Sequence, residues 1–123
     1  MTGYSRADRV GALIQQVLSD LLRRDISDPR LQMATITHVK VTKDLRQARI
    51  YFGAGSKDGA ADAVQGFKSA ASFIKRCLGP QLGLRYMPNL EFVYDESFDT
   101  GARIDRLLKS IVERTDETDP SND

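Results

Sequence analysis

The chain has no tryptophan, one cysteine and one histidine in 123 residues, and each scarcity removes a class of protein. A lone Cys77 excludes an internal disulfide framework and fits a reducing compartment. There is no His/Cys cluster with metal-ligand spacing and no nucleophile elbow, so neither a resident metal nor a cofactor is expected. No apolar run approaches the roughly 20 residues of a membrane span. The opening MTGYSRAD lacks the apolar core of a secretory signal. The expectation is a soluble, cytoplasmic protein of one domain, long enough to bury a core. One more absence concerns charge: from Val64 to Leu90 there is no acidic residue.

The overall balance of 18 basic and 17 acidic residues hides a strong asymmetry. Met1 to Pro29 is balanced, Arg30 to Leu90 carries ten basic residues against three acidic, and Glu91 to Asp123 carries four against ten. A basic middle and an acidic end suggest a polyanion-binding body with an acidic tail; a merely solvated surface is the alternative.

What is present is organised around Ala34 to Phe52. Two runs rich in β-branched and aromatic residues, Ala34 to Val41 and Ala48 to Phe52, flank the polar break Thr42, Lys43, Asp44, which is the pattern of a β-hairpin. Alternation puts Ala48, Ile50 and Phe52 on one face, with Arg49 and Tyr51 on the other. The apolar face needs a cover, and the other periodic segments supply it as helices. Ser5 and Asp8 read as a helix N-cap and acidic first turn. Val10, Leu13, Ile14, Val17, Leu18, Leu21 and Leu22 then form one apolar stripe, ended by the stretch before Pro29. Gly53 to Gly59 lacks the order of a phosphate-binding loop and reads as a flexible connector. Ala61 to Leu82 is helical; its small residues Ser69 to Ser72 favour a bend, with one continuous helix as the alternative. Gly83 is the expected C-terminal cap. Pro88 makes Leu90 to Tyr94 the stronger part of a third strand. A short amphipathic helix from about Thr100 holds Ile104, Leu107, Leu108 and Ile111, and the polar segment from Thr115 to Asp123 is expected to be disordered.

Catalytic chemistry is thin. His38 lies mid-strand and reads as a structural or surface residue. Cys77 follows Phe73 by one helical turn and reads as packing. Asp95 and Glu96 are neighbours on an extended segment, so they point to opposite faces and cannot act as one acid/base pair; a turn capped by Ser97 or Asp99 explains them better. What remains is cationic: Arg30, Lys40, Lys43, Arg46 and Arg49 around the hairpin, and Lys75, Arg76 and Arg85 on or after the long helical region. Without carboxylate partners these are free to neutralise phosphates, and Tyr51 and Tyr86 could stack on unpaired bases, with packing as the commoner alternative for an aromatic residue.

Several separated strings resemble the ribosome-binding factor A family: Asp28 to Leu31, Val41 to Leu45, Ala48 to Phe52, Leu84 to Phe92, Tyr94 to Ser97 and Gly101 to Ile104. The resemblance runs to about Lys109. It implies an α+β fold of type II KH-like form, a three-stranded sheet covered by helices in the order αββααβ, with a short C-terminal helix added. Residues 1–109 would be the RNA-binding domain and 110–123 the end of that helix and an acidic tail. It also implies a non-enzymatic factor that binds the small ribosomal subunit and its RNA late in assembly; a monomer is expected, and the acidic tail either repels RNA outside the intended site or touches a ribosomal protein. Aid to 5′-end maturation of the precursor and growth in the cold belong to the same implication. The family writes its inter-helix kink Ala-x-Gly; the matching residues are Ala70, Ala71 and Ser72, a departure at the glycine. An adaptor docking through the C-terminal amphipathic helix is the competing reading.

Overall fold

A computed structural model describes residues 4–118, with side-chain environments through residue 113. The first helix, α1 (Arg6–Arg24), starts where the sequence sets it: the Ser5 side chain accepts from the Asp8 amide and the Asp8 carboxylate accepts from the Ser5 amide, both at 3.1 Å. A single 3-10 turn (Pro29–Leu31) leads into β1 (Thr35–Val41) and β2 (Gln47–Gly53), which pair antiparallel. The long helix α2 (Lys57–Leu82) crosses over to β3 (Asn89–Tyr94), which pairs parallel to β2, and α3 (Glu96–Thr118) follows. The sheet order is β1-β2-β3, so β2 is central.

Two layers result. Ile36, Val39, Ala48, Ile50 and Phe52 point to the helical side and are buried, together with Ile14 and Leu18 of α1 and Phe67, Ile74 and Leu78 of α2. Phe52 meets Phe67 edge-on with ring centroids 5.1 Å apart, and Phe67 stacks on Phe92 at 4.3 Å, which ties α2 to both β2 and β3. Where α1 crosses β1 the backbones nearly touch: a Cβ at Gly11 would lie 2.9 Å from the Val39 carbonyl oxygen. The other face of the sheet is open.

Four expectations change. The small-residue cluster does not divide the helical region: α2 is one element through Ala70, Ala71 and Ser72, so the two helices of an αββααβ order are one, and the order is αββαβα. Ser72 is exposed, and the Ser69 hydroxyl accepts from Arg30 at 3.2 Å, so neither is seen competing for the helix backbone. The helix even continues through Pro80 before Gly83 caps it with φ of 62°. The C-terminal helix is not short, spanning 23 residues from Glu96. It includes Thr115 to Thr118, the start of the segment expected to be disordered; residues 119–123 of that segment lie outside the described residues. Finally, the glycine-rich connector is tied down, as its contacts with α3 show below.

Candidate nucleic-acid interface

The turn between β1 and β2 is built by its own polar side chains. The Thr42 hydroxyl donates to Asp44 at 2.7 Å and accepts from the Gln47 amide at 3.1 Å, while Asp44 accepts from the Arg46 amide at 3.1 Å. These bonds, the Thr42 hydroxyl first and the Arg46 amide second, hold the Asp44 carboxyl below the usual carboxylate range. Leu45 takes up φ of 62°, a left-handed conformation uncommon for a branched side chain. Its half-buried side chain packs against the core, which fixes the turn and with it Lys43 and Arg46 on either side.

This turn meets the loop after α2. The Asn89 amide donates to the Arg46 carbonyl at 2.8 Å, and the Asn89 side chain donates to Gln47 Oε1 at 2.8 Å. Arg46 and Arg85 thereby line one cleft of about 490 Å³, with Tyr86, Asp44 and Arg6 also on its walls. The Arg85 guanidinium sits 5.7 Å from the centre of the Tyr86 ring, which is exposed. Among the described residues no ion pair is found for Lys43, Arg46 or Arg85. Arg6 was not visible as a member of this group, because nothing local to it in the sequence signals a loop some eighty residues away.

On the open face, Lys40 of β1 and Arg49 of β2 are register partners, and Arg49 in turn faces Glu91 of β3. Arg49 Nε donates to Glu91 Oε1 at 3.1 Å. The Tyr51 hydroxyl first, and Glu91 next, raise the Arg49 pKa above its ordinary value. Arg49 is therefore not an uncompensated cation, as the charge reading had it; Lys40 has no ion pair among the described residues.

Three of the cations named from sequence lie elsewhere. Arg30 belongs to the 3-10 turn against α2, with its guanidinium in an ion pair with Asp28 at 2.7 Å; this hydrogen bond raises the Arg30 pKa and lowers that of Asp28. Lys75 and Arg76 are exposed on α2, in the layer behind the sheet. The structure thus gathers Arg46 and Arg85, with Lys43 in the same turn, at one end, pairs Lys40 with Arg49 on the open face, and leaves Arg30, Lys75 and Arg76 on the helical layer.

The acidic cluster after β3 is structural in each of its engagements. Asp95 Oδ1 accepts from the Ser97 hydroxyl at 2.7 Å and the Phe98 amide at 3.2 Å, so Asp95 caps α3, one turn earlier than expected, while Oδ2 accepts from Thr37 at 2.8 Å. The Ser97 and Thr37 hydroxyls keep this carboxyl below its usual range. Glu96 pairs with Lys57 at 3.1 Å. Asp99 accepts from the amides of Ala54 and Gly55 and from the Tyr94 hydroxyl, the last at 2.6 Å. The amides of Ala54 and Gly55 in this loop are therefore taken by a carboxylate of the chain itself. Among the described residues no group of three metal-ligating side chains converges, and no helix is long and apolar enough to cross a membrane.

The larger concavity, about 740 Å³ between the C-terminal half of α1 and the start of β1, contains an ion pair between Arg23 and Asp20. The unpaired cations of the β1–β2 turn lie away from it.

A family model described as ribosome-binding factor A matches residues 6–108. The ribosome-binding factor A of Desulfosudis oleivorans is 47% identical over 122 residues, covering 98% of this chain and 95% of its own length. A solution structure of a candidate ribosome binding factor A from Thermotoga maritima superposes with a TM-score of 0.66 at 26% identity, over 76% of this chain and 90% of that one. The Thermus thermophilus factor, as fitted into a cryo-EM map of a 30S complex, gives 0.56 at 24% identity over 70% of this chain and 91% of that one. With a match over most of its length in both sequence and fold, this chain belongs to the ribosome-binding factor A family.

Proposed function

We propose that this protein is a non-enzymatic assembly factor that binds the small ribosomal subunit through its RNA late in maturation, acting as a monomer in the cytoplasm. The observation that carries the reading is the end of the molecule where Arg46 and Arg85 line one cleft, with Lys43 in the same turn, and none of the three has an ion-pair partner among the described residues. Cations in that state release counterions from a polyanion on binding, and such contacts position a protein without selecting a sequence. The names of the relatives, and the 30S complex into which the Thermus coordinates were fitted, support the same partner. Aid to 5′-end processing of the precursor RNA and to growth in the cold follows if the protein favours one RNA conformer. It can shift that equilibrium only by its difference in affinity for the two.

The test is gradient co-sedimentation with free small subunits across a salt series, using wild type and a Lys43→Ala, Arg46→Ala, Arg85→Ala variant. The expected outcome is binding that weakens steeply with salt and a variant that is weaker throughout, with a melting temperature close to wild type because all three side chains are exposed. Undiminished binding by the variant would place the contact elsewhere. The adaptor reading draws on one observation, the exposure of Leu107 and Leu108 at 59% and 55% on α3. It requires that Leu107→Gln with Leu108→Gln abolish co-sedimentation while affinity for naked RNA is unchanged.

A further inference from the structure

The open face of the sheet holds a feature that its charges do not explain. β1 and β2 are in register with Ile36 opposite Phe52 and His38 opposite Tyr51, so Thr37 is an extra residue on β1. In a regular strand His38 would share the face of Ile36, which is buried under the helices. The bulge turns His38 outward instead. There its ring stacks on Tyr51, with centroids 5.9 Å apart and planes inclined by 28°.

The bulge is held from both sides. On the helical side, Gln15 Nε2 donates to the Ile36 and Thr37 carbonyls, each at 3.4 Å. At the far edge, the Thr37 hydroxyl donates to Asp95 at 2.8 Å, which fixes the extra residue against the start of α3. Next along the strands comes the charged row Lys40, Arg49, Glu91. Two residues of extended chain separate the rows by about 7 Å, within the span from a nucleotide's base to its phosphate.

We infer that the His38–Tyr51 ring pair is a stacking platform for an unpaired nucleobase of single-stranded RNA whose phosphate lies at Lys40, the cation of the next row that has no ion pair among the described residues. A purine or pyrimidine has a flat π-face that the exposed His38 ring, backed by the half-buried Tyr51 ring, accepts, and such stacking tolerates any base. Glu91 beside Arg49 disfavours a second phosphate on the β3 side, so the strand runs over β1 and β2. A purely structural cross-strand pair would stabilise the sheet and leave RNA affinity unchanged.

This platform rests on the RNA-binding reading above, and its test separates the two. Fluorescence anisotropy with a labelled single-stranded RNA 12-mer of mixed sequence is compared with a 12-mer bearing abasic positions and with a blunt duplex. The proteins are wild type, His38→Ala, Tyr51→Leu, Tyr51→Phe and the Lys43, Arg46, Arg85 triple alanine variant. His38→Ala and Tyr51→Leu are each expected to weaken the 12-mer about tenfold without changing the salt dependence. Tyr51→Phe, which keeps the ring and loses only the hydroxyl beside Arg49, should bind the 12-mer more tightly than Tyr51→Leu, and the abasic RNA should lose its sensitivity to both ring variants. If the ring variants bind like wild type while the triple variant weakens, the platform is refuted and the RNA reading stands. Equal losses on 12-mer and duplex also refute it, since the rings would then act only through the fold. Wild-type protein that ignores the 12-mer yet sediments with subunits refutes the platform alone; failure of both assays removes the RNA reading as well.

Discussion

Tyr94 donates its hydroxyl to Asp99, and this bond, more than burial, pushes the tyrosine pKa up to about 12. On Asp99 burial acts upward, but the Tyr94 hydroxyl and the Ala54 and Gly55 amides together outweigh it and leave the carboxyl below its usual range. The two shifts act at opposite ends of the pH scale. A depressed carboxylate contributes stability above its unfolded pKa of about 3.9, lost as pH falls; a raised tyrosine contributes below about 10, lost as pH rises toward its folded value. Asp99→Asn should therefore flatten the acid limb of stability against pH and let Tyr94 ionise closer to 10, read from tyrosinate absorbance and urea midpoints. At neutral pH the loss should be about 1 kcal/mol, below the usual range for charge-assisted bonds because Asp99 is only half-buried and water screens it. An unmoved Tyr94 titration would refute the pairing. The Ser5 and Asp8 cap was legible because its partners are three residues apart. The role of Asp99 was not, since the amides it holds are 45 and 44 residues away.

Among the elements, the hairpin and α1 were legible because each has one dry face, and a dry face writes its period into the sequence. The bulge was hidden in plain view: Ile36 and Val39 are both buried, a spacing of three that strict alternation forbids and one extra residue permits. The continuity of α2 was misread because small residues permit a bend without requiring one. Close approach between elements was not legible either, and Gly11 shows its consequence. Alanine there would gain about 1 kcal/mol of helix propensity. Its Cβ, however, would lie 2.9 Å from the Val39 carbonyl oxygen and 3.5 Å from Val41 Cγ2, so β1 must move away from α1. Overpacking of this kind costs about 1–3 kcal/mol and meets rigid backbone, so the net effect of Gly11→Ala should be destabilising by about 1 kcal/mol. Urea unfolding checks the sign; a higher midpoint than wild type would show that the helix can lift off β1 without loss.

Across the whole molecule, charge and burial divide the chain differently from the expectation of one cationic face. Cations without ion pairs occur on the open sheet, at the turn end and on the helical layer, and the candidate site is legible only where the hairpin and the loop after α2 converge. The acid-free stretch from Val64 to Leu90 marked half of that convergence, and Arg49 lost its place there to Glu91, 42 residues distant. Burial makes a second division. The core closes with the first turn of α3, where Asp99 and Phe98 meet the end of β2. Beyond it Ile104, Leu107, Leu108 and Val112 stand exposed at 49%, 59%, 55% and 59%. If that part of α3 adds nothing to the core, replacing Leu107 and Leu108 with Gln should leave the melting temperature within a few degrees of wild type, because surface changes typically stay within about 0.5 kcal/mol. Phe67→Ala, by contrast, removes a fully buried ring that contacts the buried Phe52 and the half-buried Phe92 and should cost about 3–5 kcal/mol. Calorimetry on the two variants side by side checks the division. A double Gln variant that melted far below wild type would mean that the apolar stripe of α3 is covered in solution and that the body extends further along the helix than its exposure indicates.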